Sequence, residues 1–101
     1  MTRFELFSTS LARTKTLHAR RPEDLSIRSI IIQLEYLIGL EAGKREDWER
    51  LKDIIIGILT VREIEPLDIG LAELLYKVVD EVETMKGEDK SLVTSRPQPK
   101  P

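Results

Sequence analysis

Cysteine is absent from the 101 residues. Disulfides, thiolate metal sites and a cysteine nucleophile are therefore excluded, and the chain suits a reducing compartment. Histidine occurs once, as His18, and aromatics make up only 5%. No apolar stretch reaches the ~18–20 residues needed to cross a bilayer, so no membrane partner is expected. The N-terminus has no apolar core of a secretory signal. Its Arg-, Ser- and Thr-rich, acid-poor character is faintly like an organelle transit segment. The same residues, Phe4, Phe7, Leu11 and Leu17, also form an ordinary helix face. A glycine-rich phosphate loop, an HExxH pattern and zinc-ligand spacing are all missing.

What is present is charge on an apolar frame. Charged residues account for 34% and apolar residues for 41%. That balance fits one small helical domain better than a disordered chain. The charge is uneven. Residues 1–21 carry five Lys or Arg against one acid, and residues 29–86 carry thirteen acids against seven bases. An acidic body repels phosphate backbones, so nucleic acid is not an expected partner. A basic protein surface would be drawn to it.

The apolar spacing predicts four helices. Phe4, Phe7 and Leu11 set a 3.6-residue rhythm over residues 3–19. Pro22, followed by Glu23 and Asp24, predicts a second helix starting near Pro22 and running to about Ala42. Ile27, Ile30, Ile31, Leu34, Leu37 and Ile38 form its stripe. Ile32, Tyr36 and Leu40 lie off the centre, which predicts burial on more than one side. Gly43 is the expected left-handed stop. A third helix is expected over Arg45–Ile64, with Trp48, Leu51, Ile55, Ile58 and Val61 or Arg62 inward and Gly57 allowing a close helix approach. Glu65-Pro66-Leu67 breaks the chain. Asp68 is the expected N-cap of a fourth helix over 69–86, with Gly87 as its C-cap. Leu71, Leu75, Val78, Val79, Val82 and Met85 form its core face. Residues 88–101, EDKSLVTSRPQPKP, read as a disordered tail. The expected fold is all-α, a small antiparallel bundle of about four helices, with residues 1–87 as the domain.

Chemistry is hard to find in this pattern. His18 lacks a neighbouring nucleophile and orienting acid, and reads as a surface or edge histidine. Glu46/Asp47 and Asp80/Glu81 are adjacent in sequence, so on a helix they point about 100° apart and do not converge. No catalytic residue, metal site or cofactor is expected. Tyr36 either packs its ring in the core with its hydroxyl reaching water, or anchors a contact, with Gln33 and Glu35 beside it. Trp48 divides the same way between core edge and interface. Arg62-Glu63 reads either as a solvated helix end or as part of a contact surface.

A resemblance sharpens the choice. Ala19-Arg20 and Pro22, Gln33-Leu34-Glu35-Tyr36-Leu37, Gly57, Thr60-Val61-Arg62-Glu63-Ile64-Glu65, and then Asp68, Leu71 and Leu75 occur in order over residues 19–80. In this the chain resembles the immunity proteins that protect bacteria against an NAD(P)-glycohydrolase toxin of the type VI secretion system. The resemblance implies an all-helical, cytoplasmic protein without catalysis of its own. It would bind the cognate toxin domain one to one and cover its active site. The expected toxin-contacting residues are Gln33, Glu35, Tyr36, Arg62, Glu63, Glu65 and Asp68, the last four forming an acid-rich rim at one end of the bundle. The competing expectation is a non-enzymatic helical adaptor that dimerises through the second helix.

Overall fold

The computed structural model describes residues 1–88. All of their regular structure is helical. Helix α1 spans Arg3–Arg20, α2 spans Leu25–Glu41, α3 spans Ile56–Leu59 and α4 spans Ile69–Glu88. A 3₁₀ helix, Trp48–Asp53, precedes α3, and a π-helical turn, Thr60–Ile64, follows it directly.

The ends of these elements are set by local chemistry. Thr2 and Glu5 form a reciprocal capping box at the start of α1, satisfying two amides that have no helical partner. Asp24 caps α2 by accepting from the Ile27 amide at 3.1 Å. The start near Pro22 is therefore corrected: Pro22 lies in the turn, and the helix begins at Leu25, after its cap. Gly43 ends α2 at φ 75°, as expected. The Lys44 amide donates to the Gly39 carbonyl and the Gly43 amide to that of Leu40, the paired bonds of a left-handed helix stop. Asp68 caps α4 as expected, accepting from the Leu71 amide at 3.0 Å. Gly87 is not the C-cap, because α4 continues to Glu88. Glu88, the first residue of the expected 88–101 tail, is thus still helical. The rest of that tail lies outside the described residues.

The core runs between α1, α2 and α4. Phe7, Leu17, Ile27, Ile30, Leu34, Leu37, Leu71, Leu75, Val78 and Met85 are buried together. Helix α2 is buried on more than one side, as its sequence predicted, with Tyr36 and Leu40 also enclosed. Ile32 is the exception and faces out.

The region from Arg45 to Ile64 departs most from expectation. A single α-helix there is corrected to a 3₁₀ helix, an extended break at Ile54 (ψ 124°), one α turn and one π turn. The inward set changes with it. Leu51, Ile56, Thr60 and Ile64 are buried, whereas Ile55, Ile58 and Val61 face out. Three consecutive isoleucines, Ile54–Ile56, cannot share one helix face, and β-branched side chains lose χ1 freedom in a helix. The break turns Ile56 inward. The wider π turn then keeps Thr60 and Ile64 on the core side. Val79 of α4 lies beside Gly57, at 3.5 Å from where a Cβ would sit, so an ordinary helix contact occurs there.

Candidate protein interface

One concave feature of the surface is a groove of about 420 Å³ between α2 and the 3₁₀–α3 junction, bordered by Ile32, Gln33, Glu35, Tyr36, Arg50 and Ile55, among others. Ser29, Gln33, Tyr36 and Arg45 in it each have a local bonding partner. Gln33 turns its amide across the groove. Its Oε1 accepts from the Ile55 amide at 2.8 Å and its Nε2 donates to Ser29 Oγ at 3.0 Å. The break at Ile54–Ile55 frees that backbone amide, and Gln33 satisfies it.

Tyr36 is held from two sides. Its hydroxyl donates to the Asp47 carbonyl at 2.7 Å. The Arg45 guanidinium lies over the ring, 5.0 Å from its centre, and the Arg45 stem crosses Gly39, where a Cβ would approach it to 2.7 Å. Arg45 in turn grips Asp47 with two hydrogen bonds. Burial, then the nearby Asp47 charge, pushes the Tyr36 phenol up to about 12. The Arg45 bond holds the Asp47 carboxyl below its usual range. Tyr36 thus packs its ring and fixes the loop after α2. Glu35 remains exposed, with Lys15 at 3.8 Å. Trp48 is half-buried and packs against the core.

The other four expected contact residues do not line this groove. Arg62 is exposed and Glu63 half-buried on the π turn. Glu65 accepts a hydrogen bond from the Tyr76 hydroxyl at 2.9 Å. Asp68 caps α4 and meets Arg13 at 3.4 Å. Two of the three acids in the expected rim are therefore bonded within the chain.

Sequence reasoning missed the apolar part of this surface. Ile32, Ile55, Ile58 and Val61 are 56, 46, 59 and 55% exposed, and Ile32 and Ile55 line the groove itself. The readable signal was the β-branched run Ile54–Ile56 followed by Gly57, which argues against an unbroken helix. His18 sits half-buried on α1, and its Nε2 has no hydrogen-bond partner among the described residues. No cluster of three or more metal-binding side chains occurs among the described residues. No described helix is long and apolar enough to cross a membrane.

The surface thus joins fixed polar groups to half-exposed aliphatic side chains. A model of the Tsi6 family matches residues 2–83, which covers all four helices apart from the end of α4. The chain belongs to the Tsi6 family. Tsi6 proteins are immunity proteins of type VI secretion. No curated protein and no solved structure matches the chain.

Proposed function

We propose that this Tsi6-family chain binds the toxin domain of a cognate type VI effector, one to one, and covers its active site. The toxin is an NAD(P)-degrading enzyme, and the protected compartment is the cytoplasm of the producing cell. The chain acts by occupying the cleft and makes or breaks no bond itself. The observation that carries the reading is family membership over residues 2–83. The groove supports it. Gln33, Glu35 and Tyr36 lie there beside Ile32 and Ile55, and a standard interface needs only about 800 Å² from each partner. Arg62 and Glu63 extend the contact along the π turn. Glu65 and Asp68 already hold Tyr76 and the first turn of α4, so substitutions there test stability as well as binding.

The deciding experiment is growth rescue. The toxin domain encoded beside this chain is expressed in a bacterium, with and without the chain. Growth only in its presence is expected, together with restored NAD levels. Arrest in both cases overturns the reading. Arrest that is rescued while NAD stays intact throughout refutes only the NAD(P)-degrading assignment.

One observation favours a second reading, a helical adaptor that pairs with itself. Ile32, Ile55, Ile58 and Val61 are four half-exposed aliphatic residues on α2 and the α3–π segment. A stable dimer at micromolar concentration, with no rescue of growth, would select that reading.

A further inference from the structure

We propose that residues 44–54 form a strap that lifts from α2 as a unit while the helices stay folded, with the Tyr36 hydroxyl as its latch. The proposal goes beyond the immunity reading and does not rest on it.

The strap has a hinge at each end. Gly43 leaves the helical region at φ 75°, and Ile54 leaves it at ψ 124°. Lifting the strap therefore breaks no backbone bond inside α2 or α3. Gln33 pins the Ile55 amide to α2 just past the second hinge, so α3 stays in place when the strap moves. Between the hinges the chain bonds mostly to itself. The Arg50 amide donates to the Asp47 carbonyl and the Ile54 amide to the Leu51 carbonyl, each at 3.2 Å. Arg45 pairs with Asp47 inside the strap. From outside, the Tyr36 hydroxyl reaches the Asp47 carbonyl at 2.7 Å, and the Tyr36 ring lies under the Arg45 guanidinium. Among the described residues, no other side-chain hydrogen bond or ion pair ties the strap to the rest of the chain.

The apolar hold is also small. Leu51 alone is fully buried. Asp47, Trp48 and Ile54 are partly buried and the other seven strap residues are exposed, so lifting uncovers little apolar surface. A segment with few buried contacts opens at a lower free energy than the core. Once lifted, the six-residue 3₁₀ helix has too few bonds to stand alone in water, and it melts.

Opening changes the groove, because the strap is one of its walls. Residues of α2 between Ser29 and Tyr36 line one side, and the strap from Arg45 to Ile54, with Ile55, lines the other. The groove thus has a fixed wall and a movable one. Lifting the strap widens it and bares the Tyr36 ring and hydroxyl. A molecule seated there stabilises whichever strap position it contacts better.

The test is native-state hydrogen exchange on the full chain over a series of low urea concentrations. Protection of the Arg50 and Ile54 amides is expected to be at least about 10-fold below that of Leu34 and Leu37 in α2, with one shared urea slope. That slope should lie above zero and below the slope of the α2 amides, because it scales with the surface exposed. A slope of zero means fraying bond by bond, and the slope of the α2 amides means global unfolding only. Either result overturns the strap. Tyr36→Phe should speed exchange at Arg50 and Ile54 about 5-fold, the equivalent of one hydrogen bond. Asp68→Ala weakens the cap of α4, so it should speed exchange in α2 and leave the strap amides unchanged. Unchanged strap exchange in Tyr36→Phe overturns the latch. Strap amides that speed up as much as those of α2 in Asp68→Ala overturn the separate unit.

Discussion

At the scale of single residues, Gln33 and Tyr36 beside the groove hold the chain's own backbone. Tyr36 shows this most directly. Its ring is covered by Arg45 and its hydroxyl fixes the Asp47 carbonyl. Tyr36→Phe keeps the ring and removes that bond, so a loss of about 1 kcal/mol is expected at neutral pH in denaturant titration. The pH dependence is a sharper check. The folded phenol ionises at about 12, against about 10 in an unfolded chain. Its contribution is therefore complete below pH ~10 and is lost as pH rises through the folded value. Wild-type stability should fall between those limits by more than that of the phenylalanine variant. Parallel alkaline branches would show that the phenol is not the group responsible. Gln33→Ala should free the Ile55 amide, and hydrogen exchange at that one amide should accelerate while amides in the middle of α2 keep their protection.

At the scale of elements, two expected caps and stops held, Asp68 and Gly43, while α2 starts after Pro22 and α4 passes through Gly87. Asp68 and Gly43 act where their chemistry says they should, because a side chain that accepts from a nearby amide, or a residue that tolerates positive φ, needs only local sequence. Asp68→Ala is expected to cost about 1 kcal/mol, and Asp68→Asn to recover most of it. If the asparagine variant is as unstable as the alanine one, the Arg13 pair matters more than the cap. The apolar stripes of α1, α2 and α4 were legible for the same reason, since each keeps one period throughout. The segment Arg45–Ile64 was not, because its period changes twice. Its isoleucines were assigned inward by extending one helical rhythm across a break, and that error hid the exposure of Ile55, Ile58 and Val61. Gln33 was expected as a toxin contact beside Tyr36, and its bond within the chain was not foreseen. Its partner, the Ile55 amide, lies 22 residues away and leaves no local trace. The bonds of the expected acid rim were hidden for a similar reason: Tyr76 and Arg13, which engage Glu65 and Asp68, come from other helices.

At the scale of the whole molecule, one side chain joins the start of α1 to the ends of α2 and α4. Arg3 bonds Glu81 at 2.8 Å, Glu88 at 3.0 Å and Glu41 at 3.3 Å. Its own side chain is only 19% exposed, so its stem also packs. The proposed inhibition by shape would require the helices to stay in register under load from a partner. Arg3 is placed to hold three of them. Arg3→Met preserves most of the stem and removes the charge, leaving three carboxylates near one another. The expected loss is about 1 kcal/mol at low salt, roughly 4–8 °C in melting temperature for a domain of this size. The difference should shrink at 1 M salt, where exposed charges are screened over about 3 Å. Acid provides an independent reading. Bonding to Arg3 holds the Glu88 carboxyl below its usual range. A depressed folded value means that the contribution is present above the unfolded carboxylate pKa, about 4.3, and is lost as pH falls through the folded one. Wild-type stability should therefore drop more steeply below pH ~4 than that of Arg3→Met, and the two melting curves should converge. If the gap persists in strong acid and in high salt alike, the stem's packing holds the helices, and the charge is incidental.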